Sequence, residues 1–259
     1  MLKTRIISAV IGLPILFFIL IKGGTLLTIA LVLISILGLN EFYNATKNIG
    51  VRPVKIFGYI ATIVLYFLDG KIAGLDILVL IGMMLFFLFL TNKKYNLKDY
   101  ALTLMGIIYI PLLFMYIQKL RELPEGMYIV WFVFVVSWMT DTFAYFTGKF
   151  LGNHKLAPTL SPKKTIEGSI GGIIGSLISS FIFVWLFPQT NVSLYVAILI
   201  GLFGSIIAQC GDLIASFIKR NCYIKDFGNT IPGHGGILDR FDSILFVSPF
   251  IYFIFQYLI

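Results

Sequence analysis

Apolar residues run in nine long stretches along the chain of 259 residues, and short polar segments separate these stretches. A helix needs about 20 consecutive apolar residues, within a range of about 17–25, to cross the hydrocarbon core of a membrane. The pattern therefore predicts an all-α polytopic integral membrane protein with about nine transmembrane helices. The predicted spans are Ile6–Ile21, Thr25–Tyr43, Ile56–Leu68, Leu75–Leu90, Tyr100–Gln118, Met127–Thr147, Thr165–Phe187, Ser193–Ile218 and Ile237–Ile259. The third span, Ile56–Leu68, is the shortest of these predictions.

The composition agrees with a membrane protein and argues against a nucleic-acid partner. Hydrophobic residues make up 59% of the chain and charged residues only 12%, whereas a soluble domain carries about 25% charged residues. A net charge of +8 would usually indicate a nucleic-acid partner. Because the basic residues are confined to short loops here, they indicate membrane topology instead.

The distribution of Lys and Arg predicts which side of the membrane each loop faces, since basic residues favour the cytoplasmic side. With nine spans and a cytoplasmic N-terminus, fifteen of the twenty Lys and Arg residues are cytoplasmic and four are not, with Arg240 inside the last span. Without the third span, eight of these basic residues would be cytoplasmic and eleven would not, a split that does not favour one orientation over the other. The bias therefore predicts nine spans, a cytoplasmic N-terminus and polar segments that face the cytoplasm. Cys222, in one of those segments, is expected to serve as a reactive marker for that side.

Polar residues are distributed unevenly between the two halves of the chain. The first five spans contain Asn40 and Glu41 near one end and little else that is polar, so residues 1–125 are predicted to be a transmembrane scaffold. Residues 126–259, with four helices and cytoplasmic polar loops, are predicted to be the catalytic region. Its acidic residues within or beside the spans are Asp141, Glu167, Asp212, Asp239 and Asp242.

The segment from Asp212 to Asp242 is the most polar stretch between two apolar runs. It holds four of the twelve acidic residues and four of the twenty basic ones. An acidic side chain deep in a bilayer costs about 2.5–3.5 kcal/mol or more, so a cation is expected to meet these carboxylates. Together with the turn Pro232–Gly236, the charges predict a site for a metal ion and phosphate groups.

Two motifs in the C-terminal half resemble the phosphatidate cytidylyltransferase family, also called the CDP-diglyceride synthases. The first is Ser216-x-x-Lys219-Arg220, then Lys225-Asp226, then Pro232-x-His234-Gly235-Gly236-x-x-Asp239-Arg240-x-Asp242. The second is Asp141-Thr-Phe-Ala-Tyr145, followed by Ser161-Pro-Lys163-Lys164-Thr165-x-Glu167-Gly168. The resemblance implies transfer of a cytidylyl group from CTP to phosphatidic acid, which gives CDP-diacylglycerol and pyrophosphate. It also implies an enzyme in the inner membrane of a bacterium, among membrane lipids.

Acidic residues are the candidate metal ligands. A hard ion such as Mg²⁺ takes oxygen ligands and is commonly held by one or two carboxylates plus substrate phosphates. The leading ligands are Asp212 and Asp239, with Asp141 and Asp242 in support. The resemblance implies a carboxylate-bound Mg²⁺ and leaves room for a second cation. The alternatives are an internal ion pair of Asp212 with Lys219 or Arg220, and a helix-start role for Asp239 and Asp242.

Basic and small residues are the candidate phosphate ligands, since Arg binds phosphate in a bidentate manner and Lys acts as a point charge. The candidates are Lys163, Lys164, Thr165, Ser216, Lys219, Arg220, Lys225, His234, Gly235, Gly236 and Arg240. The run from Ser161 to Glu167 resembles a helix start with Pro162 near its first turn, which would present the two lysines and Thr165 to a triphosphate. The alternative for Lys163, Lys164 and Lys225 is contact with anionic lipid head groups.

Glycine pairs in the seventh span, Gly168/Gly172 and Gly171/Gly175, allow close helix approach. They predict either packing within the chain or a homodimer face. Two further functions fit the residue types: a CTP-dependent kinase that acts on a polyprenol or another lipid, and an ion-coupled transporter, because acidic residues within a membrane also mark ion paths.

Overall fold

The computed structural model describes residues 2–68, 74–91 and 94–258. Lys71 and Lys93, which enter the charge bias, lie outside these residues, as does Ile259 at the end of the last predicted span. The side chains of Lys3 and Arg5 lie outside the description as well.

The described chain is mostly helical. The helices are α1 (Leu2–Lys22), α2 (Gly24–Ala45), α3 (Lys55–Leu68), α4 (Gly74–Thr91), α5 (Leu97–Ile107), α6 (Leu113–Glu122), α7 (Gly126–Ile129), α8 (Trp131–Leu151), α9 (Ile166–Leu186), α10 (Leu194–Asn221) and α11 (Leu238–Leu258). Short 3₁₀ turns cover Thr46–Ile49 and Pro188–Thr190, and a π turn covers Ile108–Leu112. The strands are β1 (Lys155–Ala157) and β2 (Ser161–Thr165).

An all-α membrane protein is thus the architecture of the chain. Within the described residues, six helical segments are long and apolar enough to cross a membrane. They are Gly24–Ile49, Leu97–Glu122, Gly126–Leu151, Ile166–Leu186, Leu194–Asn221 and Leu238–Leu258. Three of the predicted spans correspond to shorter apolar helices, Ile6–Lys22, Lys55–Leu68 and Val79–Leu90. Lys55–Leu68 is the short third span of the sequence-based prediction.

The chain divides into two compact units. Unit 1 comprises Met1–Met115 and Asn221–Arg240, and unit 2 comprises Tyr116–Arg220 and Phe241–Ile259. The predicted boundary after residue 125 is one of role, between a scaffold and a catalytic region. It is not a boundary between groups of contacting residues, and it stays a prediction.

Unit 1 is built around side chains of α2, α3 and α5. The ring of Tyr43 is fully buried, and its hydroxyl donates to the carbonyl of Thr103 at 2.8 Å. Gly58 and Gly106 flank the ring so closely that a β-carbon at either position would overlap it. A second cluster joins α3, α4 and α5 through Phe57, Ala61, Leu65, Ile81, Leu85, Tyr100 and Ile107.

Close packing of α8 against α9 organises unit 2. A β-carbon added at Gly171 would overlap the side chain of Thr147, and one at Gly175 would overlap the ring of Phe143. These glycines therefore let two helices of the same chain approach each other, as the small-residue spacing indicated. Packing within the chain accounts for them, and the homodimer stays a prediction.

Candidate active site

A pocket of about 350 Å³ opens in unit 2 between α8, α9, α10 and the β1–β2 hairpin. Its volume is within the range of about 300–1,000 Å³ that small-molecule sites occupy. Its walls combine aspartate, lysine, hydroxyl and amide side chains with glycine. The lining residues are Asp141, Ala144, Tyr145, Gly148, Lys149, Leu156, Lys163, Lys164, Thr165, Gly168, Ser169, Gln209 and Asp212.

The β-hairpin carries the two predicted lysines on strand β2, which pairs antiparallel with β1 through Lys155 opposite Thr165. Alternate residues of a strand point to opposite faces, and accordingly Lys163 is exposed while Lys164 is half-buried. The prediction that a helix begins near Pro162 is wrong. Pro162 lies within the strand, because strand pairing holds this segment extended as far as the helix.

Helix α9 begins at Ile166, after an N-cap at Thr165. The Thr165 hydroxyl accepts from the Gly168 N–H at 3.1 Å, and the Ile166 N–H donates to the carbonyl of His154 at 2.9 Å. Glu167, in the first turn, accepts hydrogen bonds from His154, whose Nδ1 lies 2.6 Å from Oε1. These contacts fix the hairpin on the helix that follows it.

Asp212, on α10, forms an ion pair with Lys164 of the hairpin. Their side chains are 29% and 23% exposed, while the Lys164 Nζ atom itself is buried at the ion pair. Spacing along the sequence suggested Lys219 or Arg220 of the same helix as the partner of Asp212. The partner in this ion pair comes from the hairpin instead. Arg220, at the end of α10, donates from Nε to the carbonyl of Leu160 at 3.3 Å, which makes a second link between this helix and the hairpin.

Carboxylates gather at this end of α10. Asp242, on α11, interacts electrostatically with Asp212, Asp141 and Lys219. Helices α10 and α11 come close enough here that a β-carbon on Gly211 would lie 2.7 Å from the carbonyl oxygen of Asp242. The neighbouring Ser216 and Lys219 are buried, with 7% and 9% of their surface exposed.

The glycine turn before α11 lies in unit 1 and is held by hydrogen bonds to carboxylates. Asp239 Oδ2 accepts from the N–H of Phe227 at 2.8 Å and from the N–H of Gly236 at 3.1 Å. Gly235 has a φ of 95°, a left-handed value that favours glycine. Asp239 thus fills the helix-start role considered as an alternative. Since a carboxylate offers about four acceptor sites, that role is compatible with binding a cation.

His234 lies in the same turn, where its Nδ1 is 2.7 Å from the Ser8 hydroxyl of α1. The Ser8 hydroxyl donates to the carbonyl of Pro232 at 3.1 Å. These contacts give His234 a structural role in the turn. Lys225 and Arg240 are exposed.

The chain matches known proteins along nearly its whole length. A model of the family described as "Cytidylyltransferase family" matches residues 3–258. The chain belongs to the cytidylyltransferase family.

Three bacterial relatives are named phosphatidate cytidylyltransferases. The chain is 37% identical over 257 residues to a phosphatidate cytidylyltransferase of Staphylococcus saprophyticus, and 36% identical over 254 residues to one of Staphylococcus haemolyticus. It is 35% identical over 257 residues to a phosphatidate cytidylyltransferase of Staphylococcus aureus. Each comparison covers 96% of this chain and 96% of the relative. The family resemblance suggested by the two motifs is thereby confirmed.

In this member of the cytidylyltransferase family, the pocket also contains polar side chains that sequence reasoning missed. Ser169 donates to Gln209 Oε1 at 2.5 Å, and Gln209 Nε2 donates to the carbonyl of Ser169 at 3.2 Å. One turn earlier on α10, Ser205 Oγ accepts from the Thr140 hydroxyl at 2.9 Å. A glutamine within a long apolar run was the only sequence signal for this network, which joins α8, α9 and α10.

The residues present fit a magnesium ion in one respect, the chemistry of their donors. Asp141 and Asp212 place carboxylate oxygens at the pocket wall, and oxygen is the donor that Mg²⁺ prefers. Among the residues that the structure describes, no group of three or more His, Cys, Asp or Glu side chains converges to hold a metal by itself.

Proposed function

We propose that this protein is a phosphatidate cytidylyltransferase, which transfers a cytidylyl group from CTP to phosphatidic acid and releases pyrophosphate. The observation that carries the proposal is the similarity of 35–37% to phosphatidate cytidylyltransferases over 96% of both chains. The pocket agrees with it, because lysines and hydroxyls beside carboxylates suit the phosphates of a nucleotide. The product would be CDP-diacylglycerol.

The reaction needs positioning more than a covalent step. An oxygen of the lipid phosphate attacks the α-phosphorus of CTP, the bond to the β-phosphate oxygen breaks, and pyrophosphate leaves. The attacking phosphate monoester is already nucleophilic, so no general base is required. Lys163 and Lys164 would offset the charge of the triphosphate at the pocket mouth, and the apolar helices would admit the acyl chains from the membrane.

A bound Mg²⁺ would neutralise phosphate charge at the reacting centre. We propose Asp212 and Asp239 as its ligands, with Asp141 and Asp242 in support. A second cation and a homodimer are further parts of the proposal, the latter through surfaces other than the glycines that pack α8 on α9. Ser216, Lys219, Arg220, Lys225 and Arg240 remain proposed phosphate contacts.

We further propose nine membrane spans with a cytoplasmic N-terminus, which places the pocket on the side where CTP is made available. The support is the bias of fifteen basic residues against four, read with the positive-inside rule. The three shorter apolar helices would complete the nine spans. The enzyme would lie in the inner membrane of a bacterium.

The deciding experiment follows the fate of CTP in purified enzyme with Mg²⁺. With phosphatidic acid supplied, label at the α-phosphorus should enter the lipid fraction, and pyrophosphate should form in equal amount. Entry of γ-phosphorus label that depends on an added lipid alcohol would favour the kinase instead. If neither label enters lipid while reconstituted vesicles show ion-coupled flux, the transporter becomes the better reading.

A further inference from the structure

Glu41 is a buried carboxylate in the mostly apolar helix α2, with 4% of its surface exposed. Its oxygens accept three hydrogen bonds from the segment that leads into α11, which belongs to the same unit. Oε1 accepts from the Thr230 hydroxyl at 2.5 Å and from the Ile237 N–H at 2.9 Å, and Oε2 accepts from the Leu238 N–H at 3.0 Å. Burying a charge is costly unless such bonds replace the lost water.

Two of these donors belong to the start of α11. The first N–H groups of a helix have no partner within the helix, and a side chain next to the helix start usually accepts their bonds. Here the acceptor for Ile237 and Leu238 comes instead from Glu41, 196 and 197 residues earlier in the chain. The beginning of α11 is therefore capped by a helix distant in sequence.

The turn is shaped to receive this carboxylate. A β-carbon at Gly228 would lie 3.0 Å from Oε1 of Glu41, and one at Gly236 would lie 2.6 Å from Oε2. The absence of a side chain at these two positions leaves room for the Glu41 carboxylate. The family motif contains Gly236, and its packing on Glu41 gives that glycine a physical reason.

Asp239 is held by the same turn. Its Oδ2 accepts from the Gly236 N–H at 3.1 Å, while the next two N–H groups donate to Glu41. We infer that Glu41 is a positioning residue for Asp239. By capping α11 it fixes where the helix starts, and with it the direction of the Asp239 carboxylate. The inference rests on the proposed function, in which Asp239 binds Mg²⁺.

The test compares Glu41→Gln with a matched control, Asp99→Asn, in the full-length enzyme. Gln keeps the size of Glu but replaces one acceptor oxygen by a donor group. Asp99 is also buried in unit 1, with 5% exposed, and accepts from the N–H of Arg52 at 2.7 Å and of Asn96 at 2.8 Å. The control therefore removes a comparable buried cap that does not touch the turn.

Hydrogen exchange and kinetics are both measured. Glu41→Gln should speed amide exchange in residues 227–240, lower kcat about 10- to 100-fold, as losses of metal-supporting residues do, and raise the Mg²⁺ concentration needed for half-maximal rate. Asp99→Asn should speed exchange near residues 52 and 96–103 and leave the Mg²⁺ requirement unchanged. Unchanged exchange in residues 227–240 of Glu41→Gln, or an Mg²⁺ requirement equal to that of the control, would overturn the inference. If the wild-type enzyme transfers no cytidylyl group, the proposed function fails while the exchange data still decide whether Glu41 holds the turn.

Discussion

Lys164 of the β-hairpin and Asp212 of α10 form an ion pair at the wall of the pocket. The whole of α9 lies between these two residues in the sequence. The ion pair therefore joins the hairpin directly to α10. A triphosphate that enters the pocket would meet a lysine that is already held in place. The pair thus connects the proposed nucleotide contact with the proposed metal ligand.

Lys164→Ala is expected to raise the KM for CTP more than it lowers kcat, because it removes a positive charge from the proposed triphosphate position. A rise of about 10-fold is expected for the loss of one charge-assisted phosphate contact. Lys155→Ala is the matched control, since Lys155 is exposed on the neighbouring strand and does not line the pocket. The measurement is the initial rate as a function of CTP concentration. An unchanged KM in Lys164→Ala would return this lysine to the lipid-contact alternative.

Asp212→Asn is expected to lower the rate at least about 100-fold while the protein still inserts and folds, because a negative ligand is lost at a divalent ion. Glu125→Gln, at an exposed position outside both motifs, should keep most of the activity. Rates over a range of Mg²⁺ concentrations check the prediction. Near-normal turnover with an unchanged Mg²⁺ requirement would remove Asp212 from the ligand set.

Asp239 allows the charge to be separated from the hydrogen bonds of the turn. Asp239→Asn retains an acceptor oxygen for the N–H groups of Phe227 and Gly236, whereas Asp239→Ala retains none. Both variants should lose activity, but only Asp239→Ala should speed hydrogen exchange in residues 227–240. Activity in Asp239→Asn comparable to wild type would mean that the carboxylate serves the turn and not a metal.

Gly171→Ala is expected to destabilise unit 2, since the added methyl group would overlap Thr147 across the α8–α9 contact. Overpacking of this kind costs about 1–3 kcal/mol. Gly12→Ala in α1 is the control, because no atom lies within 4 Å of the added carbon there. Thermal aggregation in detergent should begin at a lower temperature for Gly171→Ala only. Equal onset temperatures of aggregation for the two variants would argue against tight packing at Gly171.

Topology can be tested by thiol labelling, although not at Cys222 as the sequence suggested. Cys222 is buried, and burial raises the pKa of its thiol, which lowers the reactive thiolate fraction near neutral pH. Asn229→Cys and Glu122→Cys, made at exposed positions in a Cys210→Ser, Cys222→Ser background, are better reporters. In sealed right-side-out vesicles an impermeant reagent should label only the Glu122→Cys variant. Labelling of Asn229→Cys before permeabilisation would reverse the proposed orientation.

The sequence by itself determined the class of the protein and the identity of most candidate residues. Long apolar runs leave no choice but helices in a membrane, because every backbone polar group in lipid must find its partner within the segment. The motifs from Asp141 to Gly168 and from Ser216 to Asp242 pointed to the cytidylyltransferase family, because each is a local run of sequence that can be compared residue by residue without knowledge of the fold.

Only the tertiary structure decided which distant residues meet. Periodicity relates residues within one helix, so it could suggest partners for Asp212 on α10 but not Lys164 on the hairpin. Pro162 fits a helix start by local preference, yet pairing of β2 with β1 keeps it in a strand. Glu41 was assigned to an inert scaffold, because a lone carboxylate in an apolar run does not reveal its partners. Its contacts with Ile237 and Leu238 span almost 200 residues, and such pairings arise from packing, which local sequence does not specify.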